Sequence, residues 1–254
     1  QVTAAIKRRL MADVPLGTYL SGGVDSSLIS AITSLNSKSR VNTYTIGFPE
    51  LNEFEYARIV AEKYNTIHHE IKIDTNDYFD TMNEVIGYKD APLGVPNEIP
   101  LALMSKVLKE KITVVLSGEG ADELMGGYGR IYRSPFDYEN HIEKTKSFYE
   151  YFTELYEYVP RSLRDNYLRI NTKLRSEFDE KVKTEFNKRT NEENVFKFFH
   201  KYHVKGLLNR VDITTMLASV EARVPFLDHE LVEFSYKNIP YDLKLRWKSN
   251  DLKE

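Results

Sequence analysis

The amino-acid sequence predicts an α/β fold: a doubly wound parallel sheet with an appended helical region. The first observation is an alternation of strand and helix patterns through the first half of the chain. The second is a pair of glycine-bearing loops, each of which follows a short apolar strand pattern and precedes a helix pattern. The third is a change of composition near residue 136, beyond which aromatic and charged residues recur at helical spacing. We therefore expect an α/β core over residues 1–132 and a mostly helical part over residues 133–254.

The first half of the chain is predicted to run as βαβαβ, followed by two helices and a further strand. The predicted strands are 16–20, 41–48, 66–73 and 112–116, and the predicted helices are 25–35, 53–64, 76–88 and 97–111. Helical crossovers of this kind connect parallel strands. Ligands of such sheets lie at the carboxyl ends of the strands, where the winding direction reverses. We therefore expect strands 16–20 and 112–116 to be neighbours, with both glycine loops at that edge.

The first loop, SGGVDSS over Ser21–Ser27, has the features of a phosphate cradle. Gly22 and Gly23 let the backbone approach an anion closely, and the first N–H groups of the following helix can point at phosphate oxygens. A Walker loop would need a lysine here, but the loop carries Asp25 instead. A polyphosphate beside a carboxylate needs a cation, most simply Mg²⁺, so Asp25 is a candidate metal ligand. The alternative is that Ser21 caps the helix and Asp25 favours its first turn.

The second loop, SGEGADE over Ser117–Glu123, places three carboxylates within five positions. They are Glu119, Asp122 and Glu123. Packed carboxylates repel one another and shift each other's pKa values unless a cation or a proton is shared, which makes this cluster a candidate site. The alternative is an acidic helix start with residues 121–125 as its first turn.

Composition limits the function classes. The chain has 254 residues with 41% hydrophobic content, enough for one sizeable core or a core plus a helical subdomain. A net charge of -3 without a polybasic run favours neither nucleic acid nor a membrane surface, and no apolar stretch has the length of a membrane helix. Cysteine is absent, which excludes a cysteine nucleophile within these residues and fits a reducing, cytoplasmic setting. The chain enters a helix pattern directly at Gln1, so we expect it to be a piece of a longer polypeptide.

The later part of the chain is predicted to be helical. Residues 136–203 have apolar positions three and four apart, which indicates amphipathic helices. A stacking platform for single-stranded nucleic acid would also be aromatic, but the charges here are too balanced for it. The stretch 207–236 is predicted as a helix, an extended Val-Pro-Phe segment at Pro225, and another helix.

Three motifs in order carry a resemblance to a known family: SGGVDSS, SGEGADELMGGY and, at Ser219–Asp228, SVEARVPFLD. The first alone also fits GMP synthetase, NAD synthetase, argininosuccinate synthetase and tRNA-thiolating enzymes. Together the three resemble the synthetase domain of the glutamine-dependent asparagine synthetase family, within the ATP pyrophosphatases. The resemblance implies an adenine-nucleotide hydrolase-like fold and one synthetase domain over residues 1–254.

The resemblance also implies a reaction. A carboxylate, with aspartate expected first, is activated with ATP and Mg²⁺ to an acyl adenylate that releases pyrophosphate, and ammonia then forms the amide, asparagine, with loss of AMP. The implied pyrophosphate loop contains Ser21, Gly22, Gly23, Asp25, Ser26 and Ser27; the implied nucleoside contacts are Tyr19, Ile46, Gly47, Ser117 and Gly118; and the implied metal ligands are Asp25 and Asp122.

The resemblance further assigns roles in catalysis and substrate binding. Glu119 matches the glutamate that takes a proton from the attacking nitrogen, a role for which a carboxylate within hydrogen-bonding distance is suited. Arg210 is expected in catalysis and Arg223 at the substrate, because an arginine can clamp phosphate or carboxylate through two hydrogen bonds. Glu123 is also expected to contact the substrate. For Arg223 the alternative is a structural ion pair with Glu221 or Asp228.

The chain departs from the family pattern in three places. Residues 89–100, KDAPLGVPNEIP, stand where one subgroup has an arginine-containing TTIRAS-like stretch, so the acid substrate stays open. A phosphate-neutralising lysine of the family lies beyond residue 254, and the N-terminal glutaminase half, expected as a partner domain, is not in these residues. Amidation or cyclisation of another carboxylate and a catalytically inactive ATP-binding module are therefore kept as alternatives. The oligomeric state is open, with a homodimer among the options.

Two histidine pairs are candidate metal ligands by their spacing in the sequence. His68 and His69 adjoin in a strand pattern, so their side chains point to opposite faces and a structural role is favoured. His200 and His203 are three apart on a predicted helix, but no third ligand accompanies them, and a structural role is again favoured.

Overall fold

The computed structural model of the protein describes residues 1–141, 145–167, 172–186 and 189–246. The short stretches of the predicted helical region at 142–144, 168–171 and 187–188 lie outside the described residues. The strands are β1 Leu16–Tyr19, β2 Asn42–Gly47, β3 Ile67–Lys72, β4 Val114–Leu116 and β5 Glu221–Arg223.

Helices account for most of the remaining described residues. They are α1 Val2–Arg9, α2 Val24–Asn36, α3 Phe54–Lys63, α4 Thr75–Lys89, α5 Glu98–Leu108, α6 Ala121–Met125, α7 Gly129–Tyr132, α8 Ser134–Asn140, α9 Phe148–Tyr156, α10 Arg161–Tyr167, α11 Thr172–Phe186, α12 Asn191–Phe198, α13 Val204–Met216, α14 His229–Asn238 and α15 Tyr241–Lys244. A π-helical turn, Phe199–His203, joins α12 to α13, and a 3-10 turn, Pro225–Leu227, follows β5. In the first half, the predicted helices and strands are all present.

The sheet confirms the predicted fold class. Its strand order is β3-β2-β1-β4-β5, and every neighbouring pair is parallel. The central strand β1 pairs Thr18 with Thr43 of β2 on one side and with Leu116 of β4 on the other. The chain therefore winds outward in one direction from β1 to β3 and in the other from β4 to β5. The reversal lies between β1 and β4, as the sequence predicted.

The fifth strand was not predicted. The extended segment was expected at Val-Pro-Phe, but the structure places the strand three residues earlier, where Glu221 pairs with Val114 and Arg223 with Leu116. Pro225 begins a 3-10 turn instead, since proline has no N–H to donate to a ladder. Ser219 takes a left-handed conformation, φ 57°, at the turn between α13 and β5.

The chain divides into two compact units that differ from the predicted division at residue 132. The α/β unit contains residues 1–121 and 204–237, and the helical unit contains residues 122–203 and 238–254. The stretch 204–237 belongs to the α/β unit because it carries β5. The single synthetase domain expected over residues 1–254 stays a prediction.

Each unit has its own apolar core. In the α/β unit, a cluster forms where α5 packs on the sheet; its buried members are Tyr19, Tyr44, Met104, Leu108, Ile112, Val115 and Val220. In the helical unit, the predicted amphipathic helices bury their aromatic faces against one another. The buried members there are Tyr132, Phe148, Tyr149, Phe152, Val182, Phe186, Val195, Phe196, Phe198 and Phe199. Several of these rings meet edge to face, as Phe152 and Phe198 do with centroids 5.0 Å apart.

A buried ion pair ties the first helix to the third sequence motif. Asp228 is 1% exposed and receives two hydrogen bonds from the Arg8 guanidinium, one of them from Nε to Oδ2 at 3.1 Å. The same carboxylate accepts from the N–H groups of Glu230 and Leu231, at the start of α14. Hydrogen bonds from Arg8 hold the pKa of Asp228 below its ordinary value. Asp228 is thus a structural residue of the α/β unit.

Among the described residues, none of the helices combines the length and the apolar character needed to cross a lipid bilayer.

Candidate functional site

The loop after β1 is folded by its own serines. Ser21 Oγ and Ser26 Oγ lie 3.0 Å apart, and Ser26 Oγ also accepts from the Ser21 N–H at 3.2 Å. Ser21 Oγ accepts in turn from the N–H of Gly23, the residue before α2. Ser21 therefore does not cap the first turn of the helix, which was one part of the structural alternative; Asp25 does lie in that first turn, which was the other part. The N-terminus of α2 follows Gly23, which has no side chain to occupy it.

Two features of this loop fit an anion. Gly22 has φ +88°, and a Cβ at this position would lie 2.4 Å from Tyr56 Cβ, so only glycine is accommodated. Ser27 Oγ is shielded from solvent and has no hydrogen-bond partner among the described residues. Buried hydroxyls normally have partners, and a phosphate oxygen would supply one. The helix N-terminus favours the same negative charge.

The two glycine loops touch each other. A Cβ added to Gly118 would lie 3.3 Å from both Asp25 Cβ and the Ser26 backbone N. This contact follows from the pairing of β1 with β4, because neighbouring parallel strands bring the loops at their carboxyl ends together. The contact joins the two loops at one edge of the sheet.

The predicted nucleoside positions lie at the carboxyl ends of three adjacent strands. Tyr19 ends β1, Ile46 and Gly47 end β2, and Ser117 and Gly118 follow β4. Burial raises the pKa of Tyr19 to about 12, and the charge of Glu119 adds to this shift while a hydrogen bond with Ser105 opposes it. The Tyr19 hydroxyl is therefore protonated at neutral pH.

Glu119 faces Arg210. Arg210 Nη2 lies 3.3 Å from Oε1 and 3.4 Å from Oε2 of the carboxylate, and the side chains are 17% and 25% exposed respectively. Arg210 comes from α13, ninety-one positions away in sequence, so folding alone joins the two predicted catalytic residues. Next to Glu119, Gly120 has φ +95°, and a Cβ there would lie 2.5 Å from Leu227 Cγ. The backbone conformation that presents Glu119 thus depends on glycine.

Arg223 makes the ion pair that was its structural alternative. Its Nε donates to Glu221 Oε1 at 2.8 Å, and its Nη1 donates to the carbonyl oxygens of Arg9 and Met11, each at 2.8 Å. Asp228, the other partner considered, is bound by Arg8 instead. Most donors of Arg223 are therefore engaged within the protein, and its contact with substrate stays a prediction.

Asp122 and Glu123 lie in the first turn of α6, at the start of the helical unit. The acidic helix start considered as an alternative is thus present. Burial raises the pKa of Asp122, and the neighbouring charge of Glu123 raises it further. Glu123 is 2% exposed and accepts a hydrogen bond of 2.6 Å from the Tyr128 hydroxyl. Its predicted contact with substrate stays a prediction.

The carboxylates of Asp25 and Asp122 are oxygen donors of the kind that magnesium prefers. Among the described residues, no group of three or more histidine, cysteine or acidic side chains is arranged to hold a metal. Mg²⁺ in nucleotide sites commonly binds through one or two carboxylates plus phosphate oxygens and water, so two carboxylates are sufficient. A cation bound to Asp122 would lower the pKa of its carboxyl group, which burial raises. The sharing of one ion by Asp25 and Asp122 stays a prediction.

The sequence did not single out the aromatic partners of Glu123. His203 Nε2 lies 3.5 Å from Glu123 Oε1, and His203 Nδ1 lies 2.9 Å from the Tyr156 hydroxyl. The spacing of His200 and His203 indicates a candidate metal pair, and nothing in the sequence indicates that His203 lies beside the Glu123 carboxylate. His68 and His69 point to opposite sides of β3, as predicted, and bond Thr43 and Asn42 respectively.

The segment that departs from the family pattern encloses a buried ion pair. Glu98 is 2% exposed and binds Lys89 Nζ at 2.9 and 3.0 Å. The N–H groups of Gly94 and Val95 donate to the same carboxylate. Buried charges need such compensation, so these contacts fix the path of residues 89–98.

The chain is similar to known proteins over most of its length. The family model described as asparagine synthase matches residues 1–250. Asparagine synthetase (glutamine-hydrolyzing) 3 of Bacillus subtilis (strain 168) is 31% identical over 95% of this chain, and asparagine synthetase (glutamine-hydrolyzing) 1 of the same organism is 28% identical over 95%. Asparagine synthetase B (glutamine-hydrolyzing) of Escherichia coli (strain K12) is 35% identical over 56%. The matches span 42%, 43% and 28% of those proteins. With its two loops joined at one sheet edge and its length matched almost throughout, the chain belongs to the asparagine synthase family.

Proposed function

We propose that this chain carries the ATP-dependent, amide-forming activity of an asparagine synthetase-type ligase. A carboxylic acid, with aspartate as the first expectation, attacks the α-phosphorus of ATP and releases pyrophosphate. Ammonia then displaces AMP from the acyl adenylate and forms the amide. The names of the relatives, which include glutamine hydrolysis, support ammonia supply by a glutaminase domain of a longer protein.

One observation carries the proposal: the contact of the two glycine loops at the carboxyl edge of β1 and β4. The first loop offers an open helix N-terminus and an unpartnered buried hydroxyl, both suited to phosphate. The second loop offers Glu119 beside Arg210. A phosphate cradle next to a carboxylate–arginine pair is suited to acyl activation followed by amide formation.

The first half-reaction needs stabilisation of the charge that develops on pyrophosphate. In our proposal the N-terminus of α2 and the Ser27 hydroxyl, which has no partner among the described residues, donate hydrogen bonds to the leaving oxygens. Asp25 and Asp122 would hold Mg²⁺, which neutralises phosphate charge when bound. Tyr19, neutral because its pKa is about 12, lines the nucleoside end without adding a charge.

The second half-reaction needs a base. The nitrogen of ammonia forms a bond to the acyl carbon, the bond from that carbon to the phosphate oxygen breaks, and AMP leaves with that electron pair. The nitrogen must lose a proton, which Glu119 accepts in our proposal. Arg210, 3.3 Å from Glu119, holds the carboxylate in place and keeps a positive charge beside the reacting acyl group.

ATP–pyrophosphate exchange tests the proposal on the complete natural protein. Exchange that requires aspartate, with glutamate and a monocarboxylic acid as matched comparisons, is the expected result. Exchange that requires a different acid would support the proposed adenylation and would replace aspartate as the substrate. A folded protein that binds ATP by calorimetry but supports exchange with no acid would contradict the proposal and favour the inactive ATP-binding module.

A further inference from the structure

The helix that carries Asp122 is too short to be stable by itself. α6 has five residues, little more than one turn. Helices of this length do not persist in water without tertiary contacts. The conformation of α6, and with it the direction of the Asp122 side chain, must therefore be set by its neighbours.

The helical unit satisfies the backbone carbonyls of α6. The last carbonyls of a helix have no partner within it and need donors from elsewhere. The three observed pairings are Asp122 O with the N–H groups of Gly126 and Gly127 at 2.8 and 3.0 Å, Glu123 O with the Tyr132 hydroxyl at 3.0 Å, and Leu124 O with Lys244 Nζ at 3.1 Å. All of these donors belong to residues of the helical unit.

The side chain of Glu123 is a second anchor. Its carboxylate is buried, receives the Tyr128 hydroxyl at 2.6 Å and lies 3.5 Å from His203 Nε2. A buried carboxylate without partners would be strongly destabilising, so these contacts fix where Glu123 can lie. Since Asp122 precedes Glu123 in the same turn, fixing one side chain restricts the backbone of the other.

A π-helical turn places His203. Such turns contain one more residue than an α-helical turn and are frequent at functional sites. Here Phe199–His203 form the turn, and the His203 ring packs against Tyr128, Tyr156 and Phe199 with centroids 5.7, 5.8 and 4.8 Å apart. The aromatic core thus holds the imidazole from three sides.

Asp122 is confined on its other side as well. A Cβ built on Gly127 would lie 1.7 Å from Asp122 Oδ1, so the carboxylate rests against a stretch of backbone that must lack a side chain. This contact lies within the helical unit, like the contacts of Glu123.

We propose that Tyr128 and His203 are positioning residues: they anchor Glu123 and thereby hold the Asp122 carboxylate in the orientation in which it binds a divalent cation. Glu123 then acts inside the protein and not on the substrate. The inference rests on the proposed function, because it takes Asp122 as a metal ligand. The aromatic helices, which contribute little to the family resemblance, thereby have an indirect role in the reaction through the position of Asp122.

The experiment compares nucleotide binding with and without metal in the complete natural protein. Tyr128→Phe removes the hydroxyl bonded to Glu123 and keeps a ring for the contacts with Tyr132 and Phe199. Tyr138→Phe is the matched control, since its hydroxyl donates at the same 2.6 Å, to Lys146 O, within the same unit. Calorimetry with α,β-methylene-ATP gives Kd in the presence of EDTA or of Mn²⁺. Thermal unfolding of each variant is recorded alongside.

For Tyr128→Phe we expect the factor by which Mn²⁺ strengthens binding to fall about three- to tenfold, because hydrogen bonds to a charged group are among the stronger ones. The Kd without metal and both values for Tyr138→Phe should match the wild type. A general loss of structure would weaken metal-free binding too, so this pattern separates positioning from folding.

Two results would overturn the inference. If Mn²⁺ strengthens binding equally in the wild type and in Tyr128→Phe, Tyr128 does not position the metal ligand, while the proposed function stands. If Mn²⁺ does not strengthen binding in the wild type, the metal role of Asp122 fails and the inference with it. Should Tyr128→Phe unfold, His203→Ala and His203→Gln replace it, with a reduced Mn²⁺ factor expected for the first and partial rescue for the second.

Discussion

At the scale of single residues, three carboxylates show how environment assigns a role. Glu119 is one-quarter exposed and faces one arginine, so it can reach a ligand. Glu123 is buried against Tyr128, and Asp228 is buried against Arg8, so neither has comparable access. Sequence position alone does not distinguish these cases, since Glu119 and Glu123 are four residues apart in one loop.

Replacement of Glu119 tests its role as the base. Glu119→Gln keeps the size and the hydrogen-bonding capacity of the side chain but cannot accept the proton. Amide formation should slow by about 100- to 10,000-fold, while ATP–pyrophosphate exchange persists. The measurement is the ratio of amide product to exchange in the complete natural protein, with the exposed Glu55→Gln as control. Equal loss of both reactions would contradict the assignment.

At the scale of elements, the site is built from strand ends and from the first residues after them. β1, β2 and β4 carry the predicted nucleoside positions at their ends, and α13 carries Arg210. In these strands, pairing with the neighbouring strands defines where each strand ends. α13 is the least regular contributor, because it begins directly after a π-helical turn and contains a glycine in its interior.

Gly206 in α13 gives an element-scale prediction. It is exposed, has no neighbour within 4 Å of a built Cβ and takes no positive φ. Gly206→Ala should stabilise the protein by about 0.5–1 kcal/mol, because alanine loses less backbone entropy than glycine in a helix. Gly87→Ala in α4 offers the same situation and should behave alike. Chemical denaturation measures both, and a destabilised Gly206→Ala would show that the helix needs glycine there.

The first half of the fold could be predicted because its strands are apolar runs separated by helices of clear period. The contact of the two loops also followed from topology, once β1 and β4 were taken as neighbours. β5 could not be predicted in the same way, since its three residues, Glu-Ala-Arg, have charged ends and acquire strand geometry only by pairing with β4. The His203–Glu123 contact depends on a π-helical turn, which leaves no mark in an α-helical pattern.

At the scale of the whole molecule, long-range pairs decide how the α/β unit closes. Arg8 and Asp228 are 220 positions apart, and β5 follows the helical stretch 122–203 in the sequence. Arg9 lies 3.5 Å from the same carboxylate of Asp228, so two arginines of α1 share one buried acid.

The Asp228 pair predicts a dependence of stability on pH. The pKa of Asp228 is lowered in the folded state, so its contribution is present above the ordinary aspartate pKa of about 3.9 and is lost as pH falls through the lower folded value. Asp228→Asn should lower the free energy of unfolding at pH 7 and make the loss of stability below about pH 4 shallower, because the variant lacks the carboxylate that takes up a proton there. Denaturation at several pH values measures this, with the exposed Asp80→Asn as a comparison. An unchanged slope for Asp228→Asn would contradict the prediction.

The late arrival of β5 has a consequence for synthesis of the chain. Glu221 pairs with Val114, about a hundred residues earlier in the chain. At a synthesis rate of about 5 to 20 residues per second, several seconds or more separate the synthesis of β4 from that of its outer neighbour β5. During that interval an apolar strand presents free backbone donors and acceptors, which is the arrangement that invites chains to associate wrongly. Nascent copies crowded on one messenger are therefore most exposed to misassembly before residue 223 emerges, and chaperone capture in that window would protect yield.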